Sequence, residues 1–275
     1  MKLKFPLFLR ILFLFGFTQL AGIYAAYKFL PEPGPTQPMR FSGFSFYDFV
    51  ILVVFVLFLI FIIRRFKSIS SVFFKVFLTI VSFAGVQAML AIWLSPLVSV
   101  LIAVLLLVLF WSFNNVFLQD LMMVLAFAGI GAVLGISLAP ETVIMILVIL
   151  SFYDIVAIYK TKHMVELAEA MIQSRAIFGF IVPSSFGGFG ERMTRVLPGE
   201  QFMILGSGDV ILPLLLSASL VRTSLGQSVI VALFSALGLF LMHLIFTNQK
   251  VRRPMAALPP IALASIIGYL ISYLL

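Results

Sequence analysis

Two acids in this sequence stand where an acid is costly. Asp154 interrupts the apolar run Leu150-Ser151-Phe152-Tyr153-Asp154-Ile155-Val156-Ala157, and Asp209 interrupts Ile204-Leu205-Gly206-Ser207-Gly208-Asp209-Val210-Ile211-Leu212-Pro213. An ionisable side chain at membrane depth costs about 2.5–3.5 kcal/mol or more, so each is a functional candidate by default. Two carboxylates held close in a low dielectric do not both ionise; they share a proton and titrate as a unit. One then takes a proton from water while the other protonates a carbonyl or a leaving amine. That is peptide hydrolysis by a pair of aspartates. The bland alternative is an Asp that only hydrogen-bonds a neighbouring helix. The other eight acids (Glu32, Asp48, Asp120, Glu141, Glu166, Glu169, Glu191 and Glu200) read as loop or span-end residues.

The surrounding elements are dictated by composition. Of 275 residues, 63% are hydrophobic and 10% charged, against roughly 45–50% and 25% in soluble domains. The mean hydropathy is +1.23. A soluble domain and a disordered chain are both excluded, and an all-α polytopic membrane protein remains. Nine apolar runs are long enough to be spans, at about 6–29, 46–63, 71–95, 97–113, 119–138, 142–160, 203–222, 227–247 and 254–275. The first is too long for a cleaved signal peptide and lacks a small-residue cleavage site. The third and fourth nearly touch at Leu94-Ser95-Pro96, so a tight turn is expected there.

Charge sets the expected orientation. With the N-terminus inside and spans alternating, Lys2, Lys4, Arg10, Arg64, Arg65, Lys67, Lys75, Lys160, Lys162, Arg175, Arg192, Arg195, Lys250, Arg252 and Arg253 fall on one side. Only Lys28, Arg40 and Arg222 fall on the other. Basic residues collect in cytoplasmic loops, so the expectation is nine transmembrane helices, a cytoplasmic N-terminus and an extracytoplasmic C-terminus. The same distribution explains the net charge of +8 without nucleic acid. Cysteine is absent and there are two histidines, His163 and His243, which leaves no thiolate or histidine-rich metal site.

Three segments follow: residues 1–160 with spans one to six and the first aspartate, 161–202 as a cytoplasmic connection, and 203–275 with spans seven to nine and the second aspartate. Lys162 to Ser174 has helical spacing (Met164, Leu167, Ala168, Met171) suited to the interface. The stretch from Phe178 to Gly190 is rich in glycine and aromatics, and such a loop is expected to be mobile. No Gly-Lys-Ser/Thr follows, so it is not a phosphate loop. Counting helical rise, Asp154 and Asp209 both lie about 9 Å below the cytoplasmic ends of their spans. Equal depth on consecutive antiparallel helices lets them face each other. Gly206 and Gly208 remove side chains beside Asp209, so that another backbone can approach. A peptide bond is cleavable only where its helix is unwound, and Phe202 to Leu205 offers an edge for strand addition. Pro213 is expected to kink span seven or free a carbonyl.

Tyr153-Asp154 and Gly206-Ser207-Gly208-Asp209 resemble the YD and GxGD motifs of the presenilin and signal peptide peptidase family, which are intramembrane aspartyl proteases. The span number and the long connection between spans six and seven fit as well. The short loops resemble archaeal presenilin homologues, which implies a multi-pass protein of a prokaryotic plasma membrane. The family's PAL motif has a partial match at Ala256-Ala257-Leu258 followed by Pro259, with Ala in place of the first Pro. The resemblance implies catalysis by Asp154 and Asp209. Tyr153 would be a wall or hydrogen-bonding neighbour of the dyad, and Gly206, Gly208, Ala257, Leu258 and Pro259 would shape the cleft. It implies no metal or other cofactor. The partners would be a transmembrane-helix substrate, the bilayer and in some cases a second copy of the chain. Substrate is expected to enter laterally near span six, gated by the connecting loop. The plain alternative for the prolines is a helix entry, which Pro254 provides alone.

Other chemistries fit less of the sequence. A rhomboid-like serine protease would use Ser207 and His243, but the required glycine two residues earlier is Leu205 and both aspartates are left idle. A proton-coupled transporter or cation channel would use the same aspartates, but no inverted repeat is evident. A prepilin-type peptidase also carries GxGD, without the Tyr-Asp of the preceding span. A zinc protease would need His-Glu-x-x-His, which is missing.

Overall fold

The computed structural model describes residues 5–30, 67–160, 163–196, 201–248 and 255–274. The expected span at 46–63 and the entry residue Pro254 lie outside them. Each of the other eight expected spans contains a helix. In chain order the helices are α1 (Phe5–Phe29), α2 (Lys67–Leu90), α3 (Pro96–Phe113), α4 (Val116–Ser137), α5 (Pro140–Tyr159), α6 (His163–Ser174), α7 (Ser207–Ser219), α8 (Leu225–Thr247) and α9 (Leu258–Ser272). Six of them, α1 to α5 and α8, are long and apolar enough to cross a membrane, while α7 and α9 are shorter apolar helices.

The boundaries have local causes. Pro96 and Pro140 occupy the first turns of α3 and α5, where a missing N–H costs nothing. The expected tight turn before Pro96 is present, with Leu94 N–H still bonded to Leu90 O at 3.1 Å. Asn114 ends α3 in the left-handed region (φ 47°), and the side chain of Asn115 caps α4 by accepting the Leu118 N–H at 2.9 Å. Two adjacent asparagines thus close one span and open the next.

Close packing rests on small residues. A Cβ on Gly129 would lie 2.0 Å from Gly85 O, and one on Gly85 would lie 2.3 Å from Ala126 O. The α2 and α4 backbones therefore touch, as glycines allow between membrane helices. Around this crossing Phe15, Leu78, Met122, Met123 and Phe127 form the centre of the largest core cluster. The outer face is apolar too, with Phe13, Leu97, Leu101 and Leu237 all exposed, as lipid requires.

The fold departs from an all-helical expectation in one place. Residues Gly179–Pro183 form a strand, β1, which pairs antiparallel with β2 (Phe202–Gly206) in the register Gly179↔Gly206, Ile181↔Ile204, Pro183↔Phe202. All five residues of β1 are buried, so this part of the connection is packed core and not a mobile loop. The cause is composition: Phe180, Ile181 and Val182 are β-formers with apolar side chains on both faces. Residues 202–206 are likewise extended, and α7 begins only at Ser207. The expected span from 203 is thus part strand, and a helical rise of about 1.5 Å per residue does not apply before Ser207. With 13 residues, α7 alone is shorter than the roughly 30 Å hydrocarbon thickness. The interfacial helix expected at 162–174 is α6.

Candidate active site

Asp154 belongs to α5, which buries a narrow stripe of Val143, Leu147, Asp154 and Ala157. The one acid in the middle of this helix is therefore on the inward face, and it is 5% exposed. Its carboxyl lies beside the backbone of Leu258, the first residue of α9. Leu258 is itself buried in a cluster with Val143, Leu147, Leu216 and Leu220, which ties α5, α7 and α9 together.

Asp209 is the third residue of α7, and Gly206 is the N-cap. The Asp209 carboxyl turns back toward the Gly206 backbone. A side chain at the third position that reaches back to the cap is half of a capping box. The helices of the two aspartates pack against each other through Val143, Leu147, Leu215 and Leu216. Gly206 and Gly208 differ in what they leave room for. A Cβ on Gly206 would come within 3.2 Å of Asp209 Oδ2, whereas one on Gly208 would meet only Leu212 Cδ1, at 4.0 Å. The first glycine makes space for the acid itself, and the second leaves open space beside it.

The small sheet leads to this pair. Ser184 N–H donates to Gln201 O at 2.8 Å and Ser207 N–H donates to Phe178 O at 3.0 Å. Antiparallel pairing alternates, so residues 179, 181 and 183 of β1 and 202, 204 and 206 of β2 turn their backbone polar groups outward. On β1 that edge is closed: Ile181 N–H donates to Asp120 Oδ1 at 2.8 Å and Pro183 O accepts from Arg10 Nη1 at 2.7 Å. On β2 the Gly206 backbone meets Asp209. At Phe202 and Ile204 no group pairs with the outer edge among the described residues.

Of the remaining expected site residues, Ala257 and Pro259 are half-buried at the entry to α9. Tyr153 lies next to Asp154 on α5. Its side chain is 45% exposed, because the neighbour of an inward-facing helical residue points about 100° away. Ser207 and His243 form no dyad. The imidazole is fully buried beside the Phe8 ring at 5.2 Å, and its two nitrogens have no hydrogen-bond partner among the described residues.

Sequence reasoning missed two polar supports. Gln19 of α1, 2% exposed, donates to Val210 O at 3.0 Å, one residue along from the Asp209 carbonyl that Pro213 cannot serve. Asp120 reads in sequence as a span-end acid, yet it is 2% exposed under β1. Thr18-Gln19 within an apolar run was the available signal for the first. Nothing local distinguishes the second.

The sequence pattern of the family described as "Signal-peptide peptidase, presenilin aspartyl protease" matches residues 26–275. No curated protein matches the chain. Two solved structures of a presenilin family intramembrane aspartate protease, in different crystal forms, are similar in fold. One has a TM-score of 0.59 at 24% identity and covers 96% of this chain and 95% of its own. The other has a TM-score of 0.61 at 24% identity and covers 97% of each chain.

Proposed function

The chain belongs to the signal-peptide peptidase and presenilin family of aspartyl proteases, and we propose that Asp154 and Asp209 are its catalytic pair. The protein is an aspartic endopeptidase of the membrane. The observation that carries the assignment is that α5 and α7, which each hold one of the two acids in an apolar run, pack against each other around Leu258. One carboxylate takes a proton from the attacking water while the other, protonated, gives its proton to the scissile carbonyl oxygen; as the resulting diol collapses, the first passes the water's proton to the leaving nitrogen and the second recovers a proton from the diol hydroxyl. The Leu258 and Gly206 backbones flank the two acids.

The substrate is a transmembrane segment of another protein. Its scissile stretch unwinds and adds to the outer edge of β2 at Phe202 and Ile204, which supplies the main-chain partners an unwound segment needs in a dry site. Gly208 leaves room for that backbone, and Leu258 with Ala257 and Pro259 forms the opposite wall. Entry is lateral past α5, whose Phe152, Tyr153 and Tyr159 are exposed on the outer face. The charge distribution supports an orientation with the N-terminus and the β1–β2 connection in the cytoplasm and the C-terminus outside.

The test is cleavage of a single-span substrate by purified protein in liposomes. Asp154→Asn and Asp209→Asn keep volume but cannot transfer the proton, and both are expected to be inactive. Ser207→Ala is expected to cut. Proton flux that depends on both aspartates, with no cleavage by the wild type, would replace the protease with a transporter.

A further inference from the structure

The mechanism leaves unused a buried acid, a buried cation and a buried amide around β1. Asp120 and Gln119 come from the first turns of α4, and Arg10 comes from the second turn of α1. Arg10 was counted in sequence among the loop charges, but it is 9% exposed, with its guanidinium 4.1 Å above the Phe186 ring. All three side chains act on the same short segment. Gln119 Nε2 donates to Ile177 O at 2.7 Å, Asp120 Oδ1 accepts from Ile181 N–H at 2.8 Å, and Arg10 Nη1 donates to Pro183 O at 2.7 Å. These are backbone groups at 177, 181 and 183, on the side of β1 turned away from β2. Burying charged and amide side chains at membrane depth is costly unless they are bonded, so their convergence on one strand edge is a constraint on that strand.

We propose that Asp120 is a positioning residue for the aspartyl dyad, setting the height and register of β1 and, through the sheet, of Asp209. The route is continuous. Asp120 holds Ile181, Ile181 lies opposite Ile204, and Phe178 O accepts the N–H of Ser207, the first residue of the helix that carries Asp209. The bond from Asp120 matters more than an ordinary edge bond because it closes the outer edge of β1. With that edge occupied, a strand-shaped substrate has one edge to join, that of β2, and one register relative to Asp209. An open β1 edge would offer a second docking strand, or let β1 slide by two residues, a shift that preserves the buried faces. The proposal rests on the catalytic pair and the strand-adding substrate assigned above.

The test reads cleavage position as well as rate. Wild type, Asp154→Asn, Asp120→Asn, Asp120→Leu and Ile181→Pro are compared in liposomes with one single-span substrate. Products are sized by mass spectrometry and folding is checked by thermal unfolding. Asp120→Asn keeps an oxygen that accepts the Ile181 N–H, so it should cut at the wild-type positions. Asp120→Leu removes the acceptor. Ile181→Pro removes the donor without touching a ladder bond, because that N–H faces away from β2. Both should scatter or shift the cleavage positions and lower kcat about tenfold, the scale of a sub-ångström misplacement of reacting groups. A double Asp120→Leu, Ile181→Pro variant should match either single one, because one bond is lost in all three. Should Asp120→Leu fail to fold, Ile181→Pro carries the comparison alone. Wild-type positions and kcat in the folded Leu or Pro variant overturn the proposal, as does an Asn variant as damaged as the Leu one. Cleavage by Asp154→Asn instead overturns the catalytic pair, and this inference with it.

Discussion

Replacing Gly206 by Ala separates a glycine that serves the acid from one that serves the fold. The backbone at Gly206 is extended, with φ −64° and ψ 151°, a conformation Ala adopts without strain. The added Cβ meets nothing but Asp209, at 3.2 Å from Oδ2 and 3.9 Å from Cγ. Ordinary van der Waals contact begins some tenths of an ångström further out, so the carboxyl must move by about that much. A misplacement of about 1 Å costs about a hundredfold in rate. A shift of a few tenths therefore predicts a kcat about three to ten times lower. The Gly206 N–H is retained and the loss of a glycine cap is worth only tenths of a kcal/mol, so the unfolding midpoint should barely change. Gly208→Ala is the internal comparison. Its Cβ projects into open space with only Leu212 within 4.0 Å, so the resting acid is undisturbed. If an unwound substrate backbone passes there, KM rises while kcat holds. The assay is steady-state cleavage of a single-span substrate in liposomes at several substrate mole fractions. A Gly206→Ala enzyme with wild-type kcat would refute the reading that this glycine exists to seat Asp209. Equal effects of the two substitutions on kcat and KM would refute the division of roles between them.

Other outcomes follow from the packing. Gly179→Ala drives a Cβ to 2.2 Å from Leu205 O, a backbone atom with nowhere to go, so β1 and β2 must separate; thermal unfolding should show a loss of about 1–3 kcal/mol, with activity falling alongside. Gln19→Leu removes the donor to Val210 O and leaves a buried carbonyl unpaired, which is expected to cost about 1–3 kcal/mol by denaturant titration in detergent. Gly129→Leu places a side chain against the Gly85 backbone and should break the α2–α4 crossing; retention of the wild-type unfolding midpoint would show that the contact is not structural. Leu258→Ala empties part of the cluster joining α5, α7 and α9, with an expected loss of about 2–5 kcal/mol and a fall in kcat as the backbone at Asp154 loosens.

Sequence alone was enough to single out the two candidate acids and the helices that carry them. Apolar runs of span length declare themselves, and Asp154 and Asp209 stand out because a carboxyl inside such a run is conspicuous in composition without any knowledge of its neighbours. Prolines and asparagines at 96, 114, 115 and 140 mark helix ends through local backbone chemistry. What lay beyond reach depends on residues distant in the chain. The strand at 179–183 is a strand because Phe202–Gly206 lies beside it and because Asp120, about sixty positions away, takes up the Ile181 N–H. Read by itself it is a glycine-flanked apolar stretch with no periodicity to separate strand from loop. Asp120 looks like a span-end acid for the same reason: its burial is set by β1, and nothing in its own helix reports that. Tyr153 shows the converse: it neighbours Asp154 in the chain, yet the packing of α5 leaves it exposed while Asp154 is buried. Helix and charge are written locally, in spacing and in transfer cost; the sheet, the closed edge of β1 and the placing of one acid against the other are long-range contacts, and only the folded chain decides them.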